Sequence, residues 1–291
     1  MVEPKRLIKF LKPAVESLPC LACAYRYARD SRRLFARPVL TPMGFRFIGN
    51  RAMEQGLIEQ TEIKVVRMLL EEADVFINAG ANIGFYCCLA LSMGKYALAF
   101  EPLELNLRYL HKNIKANGWQ DNIEIFPMAL SSRAGYIRLY GSGTGASLIK
   151  GWAGANPNHS KSVPVSTLDQ ALGSRFSNQR CLILVDVEGA EKDLLEGAEY
   201  FLRRQPKPIW VVEITVTEHQ PAGISVNPGL AKTFRIFSDC GYQPWTAELQ
   251  PRKVDDEEIN RLSKGECGGL QTRNFIFIDK GRGEDLLKNV Q

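Results

Sequence analysis

Asp74-Val-Phe-Ile-Asn-Ala-Gly-Ala-Asn-Ile-Gly84 reads as a short buried strand, a tight glycine turn and the start of a helix. Val75-Phe76-Ile77 is an unbroken apolar run, as expected of a parallel strand covered on both faces. Gly80 and Gly84 bracket the turn, where glycine admits positive φ and lets a ligand come close to the backbone. The helix expected from about Ile83 to Met93 starts with N–H groups aimed at the turn, a setting suited to a carboxylate or phosphate.

The next apolar run, Tyr96-Ala-Leu-Ala-Phe100, ends in Glu101-Pro102. Glu101 lies 21 residues after Gly80, at the end of a strand, where a carboxylate can accept hydrogen bonds from both ribose hydroxyls of a nucleoside. The turn and the acid together predict a site for an adenosine-containing cofactor. A dinucleotide turn would read G-x-G-x-x-G, but Asn82 and Phe85 stand where the later glycines belong, and a pyrophosphate needs the second glycine for close approach. The spacing instead resembles the D-x-G-x-N-x-G form of motif I in class I methyltransferases that use S-adenosylmethionine.

The chain has 291 residues, 45% hydrophobic and 24% charged, an ordinary globular composition with length for a full α/β core. No apolar run approaches the roughly 20 residues a bilayer span requires. Glu16 and Pro19 interrupt the N-terminal apolar part, which argues against a signal peptide and for a cytoplasmic location. Of seven cysteines, Cys87, Cys88 and Cys181 sit in apolar runs and read as buried small hydrophobes. Cys20 and Cys23 are a lone pair without the four ligands of a structural zinc site, so no metal site is assigned. The net charge of +5 is concentrated: residues 1–40 hold nine basic and three acidic side chains, leaving −1 for the rest. This segment is expected to be helical and to cap the sheet. Its alternative is weak contact with an anionic membrane surface on the inner face, or with an acidic partner. The division expected is a basic segment over 1–43, a cofactor-binding domain over 44–282 and a tail over 283–291.

Working outward, a turn at Thr41–Phe45 leads into a short strand, Phe45 to Ile48. A helix follows from about Glu59 to Glu72, with Glu59 and Glu62 in its first turn, where the dipole favours acids. Beyond Glu101, Leu103, Leu107, Leu110 and Ile114 mark an amphipathic helix with Pro102 in its first turn and Gly118 as its stop. His111 falls on the wet side of that helix. Ile123–Phe126 is a third strand, and Met128 and Ala129 beyond it would lie beside the cofactor's base. Tyr136–Tyr140 alternates like a strand, and the glycine-rich loops after it, carrying Trp152, are a candidate substrate lid. Val163–Asp169 is a strand running into a helix capped by Ser166 or Thr167. Leu182–Val185 is a fourth buried strand, followed by one helix with Ala190, Leu194, Ala198, Phe201 and Leu202 on a face. Strands at Ile209–Ile214, Tyr242–Trp245 and Phe275–Ile278, with a helix at Ala231–Cys240, complete the pattern. Strands alternating with helices imply a mostly parallel sheet with helices on both faces. The last two strands fit an antiparallel hairpin.

Ile77-Asn-Ala-Gly-Ala-Asn-Ile-Gly84, Ala99-Phe-Glu-Pro102, Ser166-Thr-Leu-Asp169, Val185-Asp-Val-Glu-Gly-Ala-Glu191 and Val212-Glu213 together resemble the FkbM family of methyltransferases, over about Gly44 to Asp279. The resemblance implies a class I Rossmann-like three-layer fold with a seven-stranded sheet and an antiparallel terminal hairpin. It also implies S-adenosylmethionine as donor and O-methylation of a sugar, glycan or natural-product hydroxyl. It assigns Gly80, Asn82 and Gly84 to the methionyl end and Glu59 to the cofactor's amino group. The family usually has an aspartate where this chain has Asn78, which keeps an acceptor but loses a charge.

Methyl transfer to a hydroxyl needs in-line alignment and removal of the hydroxyl proton by a base or a metal. Asp186 is the first candidate for base or metal ligand and Glu188 the second; a divalent metal has no further support in the sequence. Glu213, at the neighbouring strand end, could position the acceptor, with His219 as an alternative base. Glu191 reads as stabilising its own helix start. The competing readings are an NAD-dependent oxidoreductase on a similar fold and a non-catalytic cofactor-binding scaffold. Nucleic-acid methylation is disfavoured, because no N-P-P-Y or D-P-P-Y string is present and the body has no positive charge to neutralise phosphates.

Overall fold

Residues 31–287, except 269 and 271, are described in the computed structural model. The chain enters through a two-stranded ribbon, β1 (Val39–Leu40) and β2 (Arg46–Phe47), and two helices, α1 (Arg51–Glu54) and α2 (Gln60–Glu71). Then come β3 (Val75–Ala79), α3 (Phe85–Ser92), β4 (Tyr96–Phe100), α4 (Glu104–Ala116) and β5 (Ile123–Phe126). Strands β6 (Ala129–Leu130), β7 (Gly135–Tyr140) and β8 (Ser160–Ser166) form an inserted sheet before α5 (Leu168–Leu172). The remainder is β9 (Cys181–Val185), α6 (Glu191–Glu196), α7 (Glu199–Arg203), β10 (Ile209–Glu213), α8 (Leu230–Asp239), β11 (Tyr242–Thr246), α9 (Asp256–Leu262), β12 (Asn274–Asp279) and α10 (Gly283–Leu287).

The main sheet has seven strands in the order β11-β12-β10-β9-β3-β4-β5. Strands β10, β9, β3, β4 and β5 run parallel, and β12 lies antiparallel to both β10 and β11. This is the class I α/β arrangement expected. Every residue of β3 and β9 is buried, which is why both read as unbroken apolar runs. One apolar cluster packs α2, α3 and α4 on one face of the sheet; a second packs α5 to α9 on the other. The inserted sheet, ordered β6-β8-β7, has a small core of its own around Leu139, Val163 and Val165.

Register places the site. Ala79 pairs with Phe100 on one side and Val185 on the other. The next residues, Gly80, Glu101 and Asp186, therefore leave the sheet side by side at its carboxyl edge.

Three sequence expectations need correction, and a fourth, which left two caps open, resolves to one of them. The helix after β9 is two helices, broken at Gly197 and Ala198. A Cβ on Gly197 would come within 2.2 Å of the Ser131 carbonyl oxygen, so the inserted sheet presses on the break. Pro102 precedes the first turn of α4, whose N-cap is Leu103. The strand predicted over Phe45–Ile48 is only Arg46–Phe47, paired with β1. Thr167, not Ser166, caps α5, accepting from the Gln170 N–H.

Residues 1–30 of the basic segment, Cys20 and Cys23 among them, lie outside the described residues. What is described of that segment is tied down: Arg33 pairs with Glu54 at 2.7 Å, and Lys112 donates to the Leu34 and Ala36 carbonyls. The buried Asn113 amide joins β2's exit to α4 and the α3 turn. Its Oδ1 accepts from Ile48 N–H at 2.8 Å, and its Nδ2 donates to Ile48 and Ile83 carbonyls at 3.1 and 2.9 Å. Among the described residues no helix is long and apolar enough to cross a membrane.

Candidate active site

The turn after β3 closes on itself. Gly80 and Ala81 N–H groups donate to the Phe100 carbonyl, Gly84 N–H to Ala81, and Asn82 N–H to a Glu101 carboxylate oxygen at 2.8 Å. Those four donors are paired within the protein. Gly80 has φ +83°, and a Cβ there would fall 1.8 Å from the Asp186 carbonyl oxygen. Glycine is needed because the tips of β3 and β9 nearly touch. Gly84, at φ +87°, answers a packing demand: its Cβ would lie 2.2 Å from the Leu110 side chain. Gly84 does not line the cleft described next.

A narrow cleft opens at the sheet edge over β3, β4 and β9. Gly80, Asn82, Glu101, Ala129, Asp186 and Glu188 line it from below, and Gly143, Ala146 and Leu148 of the inserted loop roof it. Glu101 is 4% exposed. Its Oε1 accepts from Leu103 N–H at 2.8 Å and Asn106 Nδ2 at 3.2 Å. Its Oε2 accepts one bond, from Asn82, and so keeps capacity for another. Burial pushes its pKa to about 7 against the pull of those donors.

Met128, expected beside the same cavity, is not among its lining residues; it packs against the core near β5 instead, while Ala129 does line it. Alternation explains this, since neighbours on an extended chain face opposite ways. Asn78 is 1% exposed, with Nδ2 against Cys87 Sγ at 3.7 Å and Oδ1 without a partner; it too lies beneath the cleft and not on its wall.

At the β9 tip, Asp186 Oδ1 and, in the turn, Asn82 Oδ1 are shielded from water without a hydrogen-bond partner. A buried oxygen of this kind is costly unless a ligand satisfies it. Burial, then the facing Glu213 carboxyl, holds Asp186 well above the carboxylate range. Glu188 has a left-handed backbone, φ 54°. Its Oε2 accepts from Trp152 Nε1 at 2.7 Å and its carbonyl from Ser147 Oγ at 2.5 Å. Glu191 accepts from Gly189 N–H in the first turn of α6, and burial lifts it to about 8.

Glu213 and Glu59 belong to a second, neighbouring cleft with Glu62, Glu248, Arg252, Arg273 and Asn274. Glu59 therefore does not line the first cleft; its Oε2 accepts from the Tyr86 hydroxyl at 3.1 Å. Glu62 accepts from Asn274 Nδ2 at 2.6 Å, and burial followed by repulsion from Glu59 lifts it to about 8. Sequence reasoning gave Glu62 only a dipole role. Its partner Asn274 is 212 residues away, a pairing no local pattern reveals. His219 lines neither cleft; its Nε2 faces Arg273 Nη1 at 3.2 Å and its ring tilts on Trp152. With Nε2 accepting from a guanidinium, it is poorly placed as a base. Trp152, expected on a candidate substrate lid, is 2% exposed and pressed on Gly189. Among the described residues no group of three or more His, Cys, Asp and Glu side chains is arranged to hold a metal ion.

A family profile described as the methyltransferase FkbM domain matches residues 78–244. A comparison with curated proteins found no significant match. Among solved structures, an FkbM methyltransferase from Methylobacillus flagellatus is 13% identical at a TM-score of 0.41, covering 88% of this chain and 60% of that one. An O-methyltransferase from Bacillus cereus, solved with SAH, is 13% identical at 0.42, covering 76% and 80%. A precorrin-6y C5,15-methyltransferase from Geobacter metallireducens is 12% identical at 0.39, covering 68% and 78%. Likenesses this distant carry no argument about activity.

Proposed function

This chain belongs to the methyltransferase FkbM family, and we propose that it uses S-adenosylmethionine to O-methylate a sugar, glycan or natural-product hydroxyl. The observation that carries the reading is Glu101: a buried carboxylate with spare acceptor capacity, at the end of β4, on the floor of a cleft beside the β3 turn. The cleft fits a nucleoside donor on two further counts. Asn82 stands where a dinucleotide turn needs its second glycine, and Asp186 Oδ1 and Asn82 Oδ1 are unpaired acceptors.

When bound, the donor supplies a sulfonium-activated methyl. Glu101 holds the ribose and Ala129 packs beside the base. Asn82 and Gly80 shape the wall of the β3 turn, and Ala146 and Leu148 exclude water from above. The acceptor enters by the second cleft, past Glu62 and Glu213. Asp186 takes the hydroxyl proton at its unpaired Oδ1 after releasing the proton that burial holds on it, so transfer starts from its ionised form. Glu213 faces it, with Glu188 beside them.

Equilibrium binding of S-adenosylhomocysteine and NADH tests the donor class. The first should bind and the second should not, and Glu101→Ala should weaken S-adenosylhomocysteine by roughly 30-fold or more, as removal of a charge-assisted bond implies. Unchanged affinity would remove the ribose assignment. Tritiated donor with glycan extracts then tests methyl transfer itself.

A further inference from the structure

Sheet order gives the cleft a direction. With the ribose at Glu101 on β4 and the base toward Ala129 beyond β5, the rest of the donor runs toward the tips of β3 and β9. The charged side chains lining that end are Asp186 and Glu188. Asp186 is committed to Glu213. Glu188 is held differently. Its backbone is in the left-handed region, which a residue with a side chain rarely adopts. Three contacts keep it there: the Trp152 indole on one carboxylate oxygen, the Ser147 hydroxyl on its carbonyl, and Gly189 beneath the Trp152 ring. The Trp152 bond engages Oε2, no protein hydrogen bond is made to Oε1, and Glu188 lines the cleft.

We propose that the Glu188 carboxylate, positioned by Trp152, is the counter-charge to the donor's sulfonium, so that this cleft separates the cationic donor from its neutral thioether product. The inference rests on the donor reading above. It gives the strained backbone a purpose: an ordinary turn would carry the side chain elsewhere. It also supplies a means of release. Transfer of the methyl neutralises the sulfur, and the attraction from Glu188 lapses at that moment. Trp152 is a positioning residue here, reaching the donor only through Glu188.

The test needs no acceptor. Affinities of the full-length protein for S-adenosylmethionine and S-adenosylhomocysteine are measured by titration calorimetry, and their ratio is compared between variants. The steric effect of the extra methyl cancels in that comparison. Glu188→Gln should shift the ratio by about tenfold toward the neutral ligand, and Trp152→Phe by roughly threefold the same way, as loss or loosening of one charged contact implies. Glu257→Gln, exposed on α9 and in neither cleft, should leave the ratio unchanged. A merely structural role would weaken both ligands alike. If both still bind and the ratio stays within about twofold of the parent in both variants, the proposal is overturned. Should Glu188→Gln fail to fold by thermal melt, Trp152→Phe decides alone. If the parent binds neither ligand, the donor reading itself falls and takes the proposal with it.

Discussion

A methyl group on Gly80 would land 1.8 Å from the Asp186 carbonyl oxygen, on a backbone that already has positive φ. Gly80→Ala should therefore cost about 2–3 kcal/mol in urea melts and part the β3 and β9 tips, with a matching fall in donor affinity. That residue, Glu101 and Asp186 were legible in the sequence because each ends an apolar run, and parallel strands deliver their ends to one edge. Glu62, Tyr86 and Asn274 were not, because they meet only through tertiary packing of α2, α3 and β12. Trp152 was noticed for its loop, but its burial was not legible, since nothing local says that Gly189 makes room for it. Gly84 and Met128 show the converse: the pattern identified the turn and the strand end correctly but could not say which way each residue faces.

The strands β3 and β9 were readable because burial on both faces makes them uniformly apolar, and α2 and α4 because one face alone is apolar. The break between α6 and α7 was not readable, since Gly197 and Ala198 fit a helix and only contact with Ser131 forbids it. Cohesion between elements can be tested at Asn113. Its amide makes three bonds in the dry space between α4, the α3 turn and the chain leaving β2. Asn113→Ala should destabilise the fold by about 2–4 kcal/mol, leaving the Ile48 N–H and two carbonyls unpaired. Hydrogen exchange should speed first at Ile48, ahead of the β3 and β9 amides. Uniform loss across the sheet would mean that Asn113 acts on the whole core.

For the molecule as a whole, the buried carboxyls set the response to pH. Glu62 and Glu191 titrate at about 8 and Glu101 at about 7, against the usual 4.5. Between those values the folded protein keeps protons that the unfolded chain releases, so stability falls as pH rises through that window. Asp74 and Glu124 work oppositely, held low by Arg180 and Arg175, and lose their contribution only in acid. The melting temperature of the ligand-free protein should thus be highest near pH 5 and decline toward pH 8. Glu62→Gln should flatten the decline, as an amide has no proton to keep; an unaltered slope would show that Glu62 is hydrated. The placing of β12 between β10 and β11 has a consequence for synthesis. A nascent chain cannot seat the middle of this arrangement until Asp279 has cleared the ribosomal tunnel, and until then two neighbouring rows of backbone groups stand open. A stalled or clipped message ending before Asn274 would yield a sticky product for proteases, however complete its catalytic edge.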